Sequence, residues 1–176
     1  MHHLATAAII PMLLLSALPA QAQSEMITIT PEQIGQVFCI GSLGNDMSPV
    51  SGVLSEDLTS LIDDAFERSN AFLLDHPGEK PPLGDGIPWR TWPDYADGCT
   101  VGAASEAELL ARETDLLARV VINYTFSDAP SANYSDTLIL LPAYGENGPP
   151  YIWRIHDVEL GGGGTLREFI GASFEE

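Results

Sequence analysis

The stretch LARVVINYTF, residues 117–126, determines the fold class of this chain. Its bulky apolar side chains recur at every second position, at Val120, Ile122, Tyr124 and Phe126. An alternation of period two places such side chains on one face of a β-strand, which is then half-buried. The stretch therefore predicts a strand whose apolar face packs on the core of a domain.

Further strands are predicted on both sides of this one. Residues 134–141 and 150–158 are rich in β-branched and aromatic side chains, and the turn-forming residues 145–149 separate them. A short strand is predicted near 99–104 as well. Residues 105–114 are ambiguous, because only their composition favours a helix. Strands that follow one another in this way predict an antiparallel meander.

The rest of the chain predicts helices. Residues 30–33 carry Thr, Pro and Gln where a helix begins, and we expect this helix to end before Gly41 and Gly44. Ser55 caps a longer helix that the Pro-Gly pair at 77–78 ends, and Thr165 caps a short last one. We therefore predict an α+β fold, with N-terminal helices packed on a curved antiparallel sheet of about four strands and a short C-terminal helix.

Residues 1–22 have the features of a cleavable signal peptide. The apolar run at 4–18 is too short to span a bilayer, and Ala-Gln-Ala at 20–22 fits signal peptidase. A buried N-terminal helix is the alternative. Because no Cys follows the run within a few residues, we expect a periplasmic or secreted protein and not a lipoprotein. Residues 23–176 then form a single domain with no membrane association after cleavage.

The chain is strongly acidic, with a formal net charge of −18 and Lys80 as its single lysine. Proteins bind nucleic acid and anionic membranes through Lys and Arg. We therefore expect neither nucleic acid nor a membrane surface as a partner. The charge has two interpretations. It keeps an exported protein in solution, or it attracts a basic partner or a cation. We expect a monomer or a weak dimer.

Cys39 and Cys99 both lie beyond the predicted signal peptide. Two such cysteines ordinarily pair in an oxidising compartment. Two unpaired buried thiols and a redox pair are the weaker alternatives, and the chain contains no C-x-x-C motif that would support the latter. We predict one disulfide, which ties the first helix to the start of the sheet.

An aromatic segment lies between the second helix and the sheet. Residues 76–98 contain five prolines and four glycines, too many for a regular element. Aromatic side chains in such a segment either complete a core or form a binding site, and both alternatives stay open. The candidate binding residues of this segment are Trp89, Trp92, Asp94 and Tyr95.

His156 and Asp157 are an adjacent histidine and carboxylate on a predicted strand. Because neighbouring residues of a strand point to opposite faces, we expect no hydrogen bond between these side chains. His156 remains a weak binding candidate. His76 is the other histidine beyond residue 22, and no cysteine cluster accompanies the two, so we expect no metal site and no cofactor.

Four short motifs resemble an exported bacterial family of unknown function. They are LSEDL at 54–58, WRTWPD at 89–94, WRIHDV at 153–158 and TLR at 165–167. That family in turn resembles the cone-shaped fold of the nuclear-transport-factor-two-like and ketosteroid-isomerase-like superfamily. The resemblance covers roughly residues 31–174. It implies a cone-shaped α+β domain and transfers no catalytic residue to this chain.

Two functions are compatible with these observations. The first is a non-enzymatic binding or accessory protein for a small ligand or a basic exported protein, for example an inhibitor or immunity protein. The second is a small hydrolase or isomerase that uses an acid in the cone, with Asp94, Asp97 or His156 as candidates. A buried carboxylate facing a cavity would favour the enzyme, and an exposed aromatic patch would favour the binding protein.

Overall fold

A computed structural model describes residues 29–44, 46–84, 86–92, 95–108, 116–145 and 148–175. The predicted signal peptide at 1–22 and the candidate Asp94 lie outside the described residues. Along the chain the regular elements are α1 (Pro31–Gly44), α2 (Ser48–Ser51), α3 (Glu56–Asp75), β1 (Gly98–Val101), β2 (Ser105–Glu108), β3 (Leu116–Thr125), β4 (Tyr134–Gly145), β5 (Gly148–Glu159) and α4 (Leu166–Ala172). The predicted α+β class and its order of elements are confirmed.

Local side-chain caps begin the helices where the sequence predicts them. Gln33 and Thr30 exchange hydrogen bonds in front of α1, and the Ser55 hydroxyl accepts the N–H of Leu58 at the start of α3. Thr165 and Glu168 form a complete capping box at α4. Each such cap satisfies N–H groups that the first helical turn leaves unpaired.

The predicted end of α1 before Gly41 was wrong, since the helix continues to Gly44. Gly41 is buried, and a Cβ added there would lie 2.9 Å from a methyl carbon of Val50 and 3.0 Å from the carbonyl oxygen of Asp46. The glycine thus serves close packing against α2 and the preceding loop. Glycine is tolerated inside a helix when a neighbouring element must approach the backbone closely.

The sheet is antiparallel and four strands wide. Its order is β1-β3-β4-β5, and β2 also pairs with β3. β1 pairs with residues 122–125 of β3, while β2 pairs with residues 116–119, so two short strands share one edge. The predicted strand near 99–104 is therefore shorter, and residues 105–108 form a strand where composition alone favoured a helix. Pairing with β3 outweighs the weak helix propensity there.

The helices cover one face of the sheet. α1 contacts β1 and β3, whereas α3 and α4 contact β5. Among the described residues the fully buried side chains include Ile34, Phe38, Leu58, Val120, Ile122, Tyr124, Leu138, Leu140, Ile155, Leu166 and Ile170. Trp153 and Ile155 face this core as predicted, together with the alternating residues of β3.

A β-bulge at His156 changes the alternation along β5. Ile139 pairs with Asp157 and Leu140 pairs with Ile155, which leaves His156 as the extra residue. Trp153 and Ile155 are buried before the bulge and Val158 after it. The strict two-residue alternation that the sequence predicts for His156 and Asp157 does not hold at this point, because a bulge inserts one residue opposite a regular strand.

The predicted disulfide is confirmed. Cys39 of α1 and Cys99 of β1 are bonded, with their Cα atoms 5.6 Å apart. A second contact joins the same two regions, because the Glu32 carboxylate accepts the N–H of Ala104 at 2.9 Å. This hydrogen bond is the main reason that the pKa of Glu32 lies below its ordinary value. The disulfide between Cys39 and Cys99 fits an oxidising, extracellular location.

Within the described ranges, none of the helices combines the length and apolar character that a membrane crossing requires.

Candidate functional site

We use the name aromatic loop for the described residues 86–92 and 95–97, which lead from α3 to β1. The structure separates its aromatic side chains. Trp89 is half-buried, and its ring meets that of Phe38 edge-on with the centroids 6.5 Å apart. Trp92 and Tyr95 are 56% and 60% exposed. Each predicted alternative therefore describes part of the loop, because Trp89 completes the core and the other two side chains face solvent.

The aromatic loop is attached to the sheet by a buried carboxylate. Asp136 of β4 is 1% exposed. Its Oδ1 atom accepts the Thr91 hydroxyl at 2.5 Å and the Gly161 N–H at 2.9 Å, and its Oδ2 atom accepts the Thr91 N–H at 3.2 Å. We call Asp136, Thr91 and Gly161 the Asp136 cluster. A buried carboxylate needs such donors, because burial removes its hydration.

The sequence around Gly161 makes this cluster possible. A Cβ at residue 161 would lie 2.3 Å from the carbonyl oxygen of Ser135, so only glycine brings its N–H to Asp136. Gly163 and Gly164 follow with φ angles of 102° and 79° and turn the chain toward α4. The left-handed region is accessible to glycine without steric cost. The glycine run 161–164 is thus an exposed turn between β5 and α4 whose first glycine lies close to the Ser135 backbone.

A second set of hydrogen bonds connects the aromatic loop to α1. Arg90 Nη1 donates to the carbonyl oxygen of Ser42 at 3.0 Å. The buried Tyr124 phenol donates to Ser42 Oγ at 3.3 Å, and that hydroxyl in turn donates to the Cys39 carbonyl oxygen at 3.1 Å. Burial raises the pKa of Tyr124, and the nearby Asp136 carboxylate adds to the effect. The phenol therefore stays protonated as a donor at neutral pH.

Tyr134 and Arg90 contact the two exposed aromatic residues of the loop. The Tyr134 hydroxyl donates to the carbonyl oxygen of Trp92 at 3.4 Å, and the Tyr134 ring stacks on Tyr124 with centroids 4.8 Å apart. The Arg90 guanidinium lies over the Tyr95 ring, 5.7 Å from its centroid. The Trp92 carbonyl is thus bonded to a side chain of β4, and the Tyr95 ring lies against the Arg90 side chain.

The candidate acids of the enzyme alternative have other roles or lie elsewhere. Asp97 is exposed, and its carboxylate accepts the N–H of Ser127 in the turn after β3. Asp94 lies outside the described residues. Asp136, which sequence reasoning missed, is the buried carboxylate among the described residues, and both its oxygens accept hydrogen bonds within the fold. Asp136 lies two residues after Tyr134 and two before Leu138, so the alternation of the strand places all three on one face. That alternation was the signal in the sequence for a carboxylate on this face.

His156 lies in a separate groove that contains no residue of the aromatic loop. The groove has a volume of 690 Å³ and runs between the start of α3, residues 141–143 of β4, and Arg154 and His156 of β5. Glu56 and Asp57 form its acidic side. Arg154 is directed to the Gly52 carbonyl oxygen, to which it donates a hydrogen bond. The groove therefore has two carboxylates on one wall and the Arg154 guanidinium with the His156 imidazole on the other.

Arg167 of α4 makes two contacts with His156. Arg167 Nε donates to the His156 carbonyl oxygen at 2.7 Å, and Nη2 lies 3.3 Å from His156 Nδ1. A guanidinium can only donate, so Nδ1 is the acceptor in this contact. Burial is the largest cause that lowers the pKa of His156, and the Arg167 charge adds to it, while Asp157 and Asp57 oppose the shift.

This arrangement predicts a dependence of stability on pH. Because the pKa of His156 is lower in the folded protein than its ordinary value of 6.5, the unfolded chain binds the proton more readily. Stability is then complete above about pH 6.5 and decreases as the pH falls through that value toward the folded pKa. Urea unfolding between pH 7.5 and 5 measures this loss.

Two variants isolate the contribution of His156. We expect His156→Asn, which keeps an acceptor near Arg167, to be less sensitive to acid than the wild type over this range. His76→Asn removes the exposed histidine at the end of α3 and controls for the loss of a histidine outside the groove. Parallel profiles for His156→Asn and the wild type would contradict the assignment.

Among the described residues, no group of three or more His, Cys, Asp or Glu side chains could hold a metal ion. No protein-family model matches this chain, and searches of curated proteins and of solved structures found no match.

Proposed function

We propose that this chain is an exported, non-enzymatic binding protein of the family that its motifs resemble, and that the aromatic loop contacts a basic partner. The observation that carries the proposal is the exposure of Trp92 and Tyr95 on a loop that hydrogen bonds hold to both the sheet and α1. The aromatic loop therefore loses little conformational freedom when a partner binds to it. Binding to a preorganised surface avoids most of the entropic cost of ordering it.

The residue types support this role for the loop. Trp and Tyr are enriched among the residues that contribute most to protein–protein affinity, because they bury a large area with few rotatable bonds. Trp89, which also belongs to the loop, packs on Phe38 and is therefore assigned to stability. Trp92 and Tyr95 are the side chains that we assign to the partner.

The charge of the chain supports a basic partner. A net charge of −18 speeds the encounter with basic proteins and slows the encounter with acidic ones. Basic proteins that an exported acidic protein can restrain include cell-wall hydrolases and antibacterial toxins. An inhibitor or immunity role therefore accounts for the charge, the disulfide and the exposed aromatic residues together.

Capture of the partner from the native compartment tests the proposal. We expect the immobilised wild type to retain a basic protein at low salt, and Trp92→Ala and Tyr95→Ala to retain much less of it. Phe66→Ala is the matched control, because this aromatic residue of α3 is 44% exposed and lies outside the aromatic loop. Capture should also weaken as added salt shortens the Debye length from about 30 to about 8 Å.

Two outcomes would contradict the proposal. One is the absence of any basic protein in the captured fraction at every salt concentration. The other is equal retention by Trp92→Ala, Tyr95→Ala and Phe66→Ala.

A further inference from the structure

Backbone hydrogen bonds tie together the two walls of the groove between the start of α3 and β5. The N–H of Ser55, directly before α3, donates to the Ile155 carbonyl oxygen at 2.8 Å, and the N–H of Ile155 donates to the Val53 carbonyl oxygen at 2.8 Å. Arg154 is held as well, because its guanidinium donates to the Gly52 carbonyl oxygen. The groove is therefore formed before a ligand binds, as is usual for small-molecule sites.

The groove separates charges of opposite sign. Glu56 and Asp57 are exposed on one wall, whereas Arg154 and His156 are half-buried on the other. The pKa of His156 lies below its ordinary value, so at neutral pH the positive charge of that wall resides on Arg154. Neither carboxylate forms an ion pair with a described residue. Ligand groups of both signs therefore find a partner in this groove.

The lining of the groove also includes apolar side chains. Leu54 before α3 and Leu141 and Pro142 of β4 are half-buried along it. An uncharged ligand would remove the hydration of the charged walls without replacing it, and a ligand of one sign would be repelled by the wall of the same sign. A small apolar molecule that carries both an ammonium and a carboxylate group meets neither difficulty.

We propose that this groove binds a small zwitterion with an apolar side chain, of the class formed by free amino acids and dipeptides. Its ammonium group meets Glu56 and Asp57, and its carboxylate meets Arg154. A guanidinium has five N–H donors, so Arg154 can bind a carboxylate in addition to the backbone carbonyl that it already contacts. The volume of 690 Å³ lies within the range of small-molecule sites. Because no residue of the aromatic loop lines the groove, this site is independent of a basic partner bound there.

An NMR titration of the folded, disulfide-bonded protein with the dipeptide Ala-Leu at pH 7.5 tests the proposal. The signals are those of the histidine rings, because His156 lines the groove and His76 is exposed at the far end of α3. We expect the His156 signals to shift and the His76 signals to stay in place. Acetylated Ala-Leu lacks the ammonium group and Ala-Leu amide lacks the carboxylate, and each should bind at least about threefold more weakly. The amide is the stricter comparison, because the net charge of −18 attracts a cation.

Charge-neutral variants assign the two ends of the ligand. Arg154→Gln keeps a donor for the backbone carbonyl and should weaken Ala-Leu while it leaves the amide as it is. The double variant Glu56→Gln/Asp57→Asn should weaken both. Its matched control is Asp63→Asn/Asp64→Asn, which changes the net charge equally at exposed positions of α3 that do not line the groove.

Three outcomes would overturn the proposal. The first is a His156 signal that stays in place up to about 10 mM Ala-Leu, a concentration that half-saturates even a site of very low affinity. The second is equal binding of Ala-Leu and its amide. The third is an equal effect of the two double variants.

Discussion

Replacing Asp136 by Ala is expected to lower the free energy of unfolding by about 3 kcal/mol, because three donors of the fold lose their acceptor. The N–H groups of Thr91 and Gly161 and the Thr91 hydroxyl would be left unpaired in partly buried positions. Loss of the buried partner of a hydrogen-bond network is among the few single changes with effects of this size. Urea unfolding of the variant and the wild type measures the difference.

The same variant should also release the aromatic loop. We expect amide hydrogen exchange of Thr91 and Gly161 to become much faster in Asp136→Ala, while the amides in the centre of β3 exchange as in a uniformly destabilised protein. Asp136→Asn is the matched control, because it keeps the size of the side chain and one acceptor oxygen. It should lose less stability than Asp136→Ala. A loss below about 1 kcal/mol for Asp136→Ala would contradict the role of the cluster.

Removal of the disulfide is expected to cost about 4 kcal/mol of stability. Cys39 and Cys99 are 60 residues apart in sequence, and a bond that closes such a loop reduces the entropy of the unfolded chain. The bond also attaches α1 to β1 at an edge of the sheet, where the short strands β1 and β2 have few partners of their own. We expect the midpoint of urea unfolding to fall on reduction and in the double variant Cys39→Ala/Cys99→Ala.

A comparison of these two samples separates the bond from the packing of its sulfur atoms. Reduction removes the covalent link alone, whereas the double variant also creates a small cavity, so it should be the less stable of the two. Ile40→Ala, beside Cys39 on α1 and 69% exposed, controls for a general weakening of that helix. Labelling of both thiols by an alkylating reagent under denaturing, non-reducing conditions would contradict the disulfide.

The sequence was sufficient where the determining interactions are local. The alternation at 117–126 predicted β3, and the caps at Thr30, Ser55 and Thr165 predicted where three helices begin, because each signal depends on residues within one turn or one strand. The disulfide followed from the number of cysteines and the expected compartment. These features sufficed for the α+β class and for the order of the elements.

The candidate site was only partly predictable, because its contacts join distant parts of the chain. Trp89 and Trp92 lie three residues apart in one loop, and nothing local indicates that the first packs on Phe38 of α1 while the second faces solvent. The donors of Asp136 are 45 and 25 residues away from it in sequence. The bulge at His156 likewise depends on the register between β4 and β5, which hydrophobic alternation alone does not specify.

The rate at which a captured basic protein dissociates from Trp92→Ala, measured beside the unfolding free energy of the same preparation, tests the central claim most directly. Because the Trp92 side chain is exposed and the contacts that hold its backbone remain, we predict a dissociation rate at least tenfold above that of the wild type and a change in stability below about 0.5 kcal/mol. An unchanged dissociation rate together with a loss of several kcal/mol would make Trp92 part of the core and would contradict a binding role for the aromatic loop.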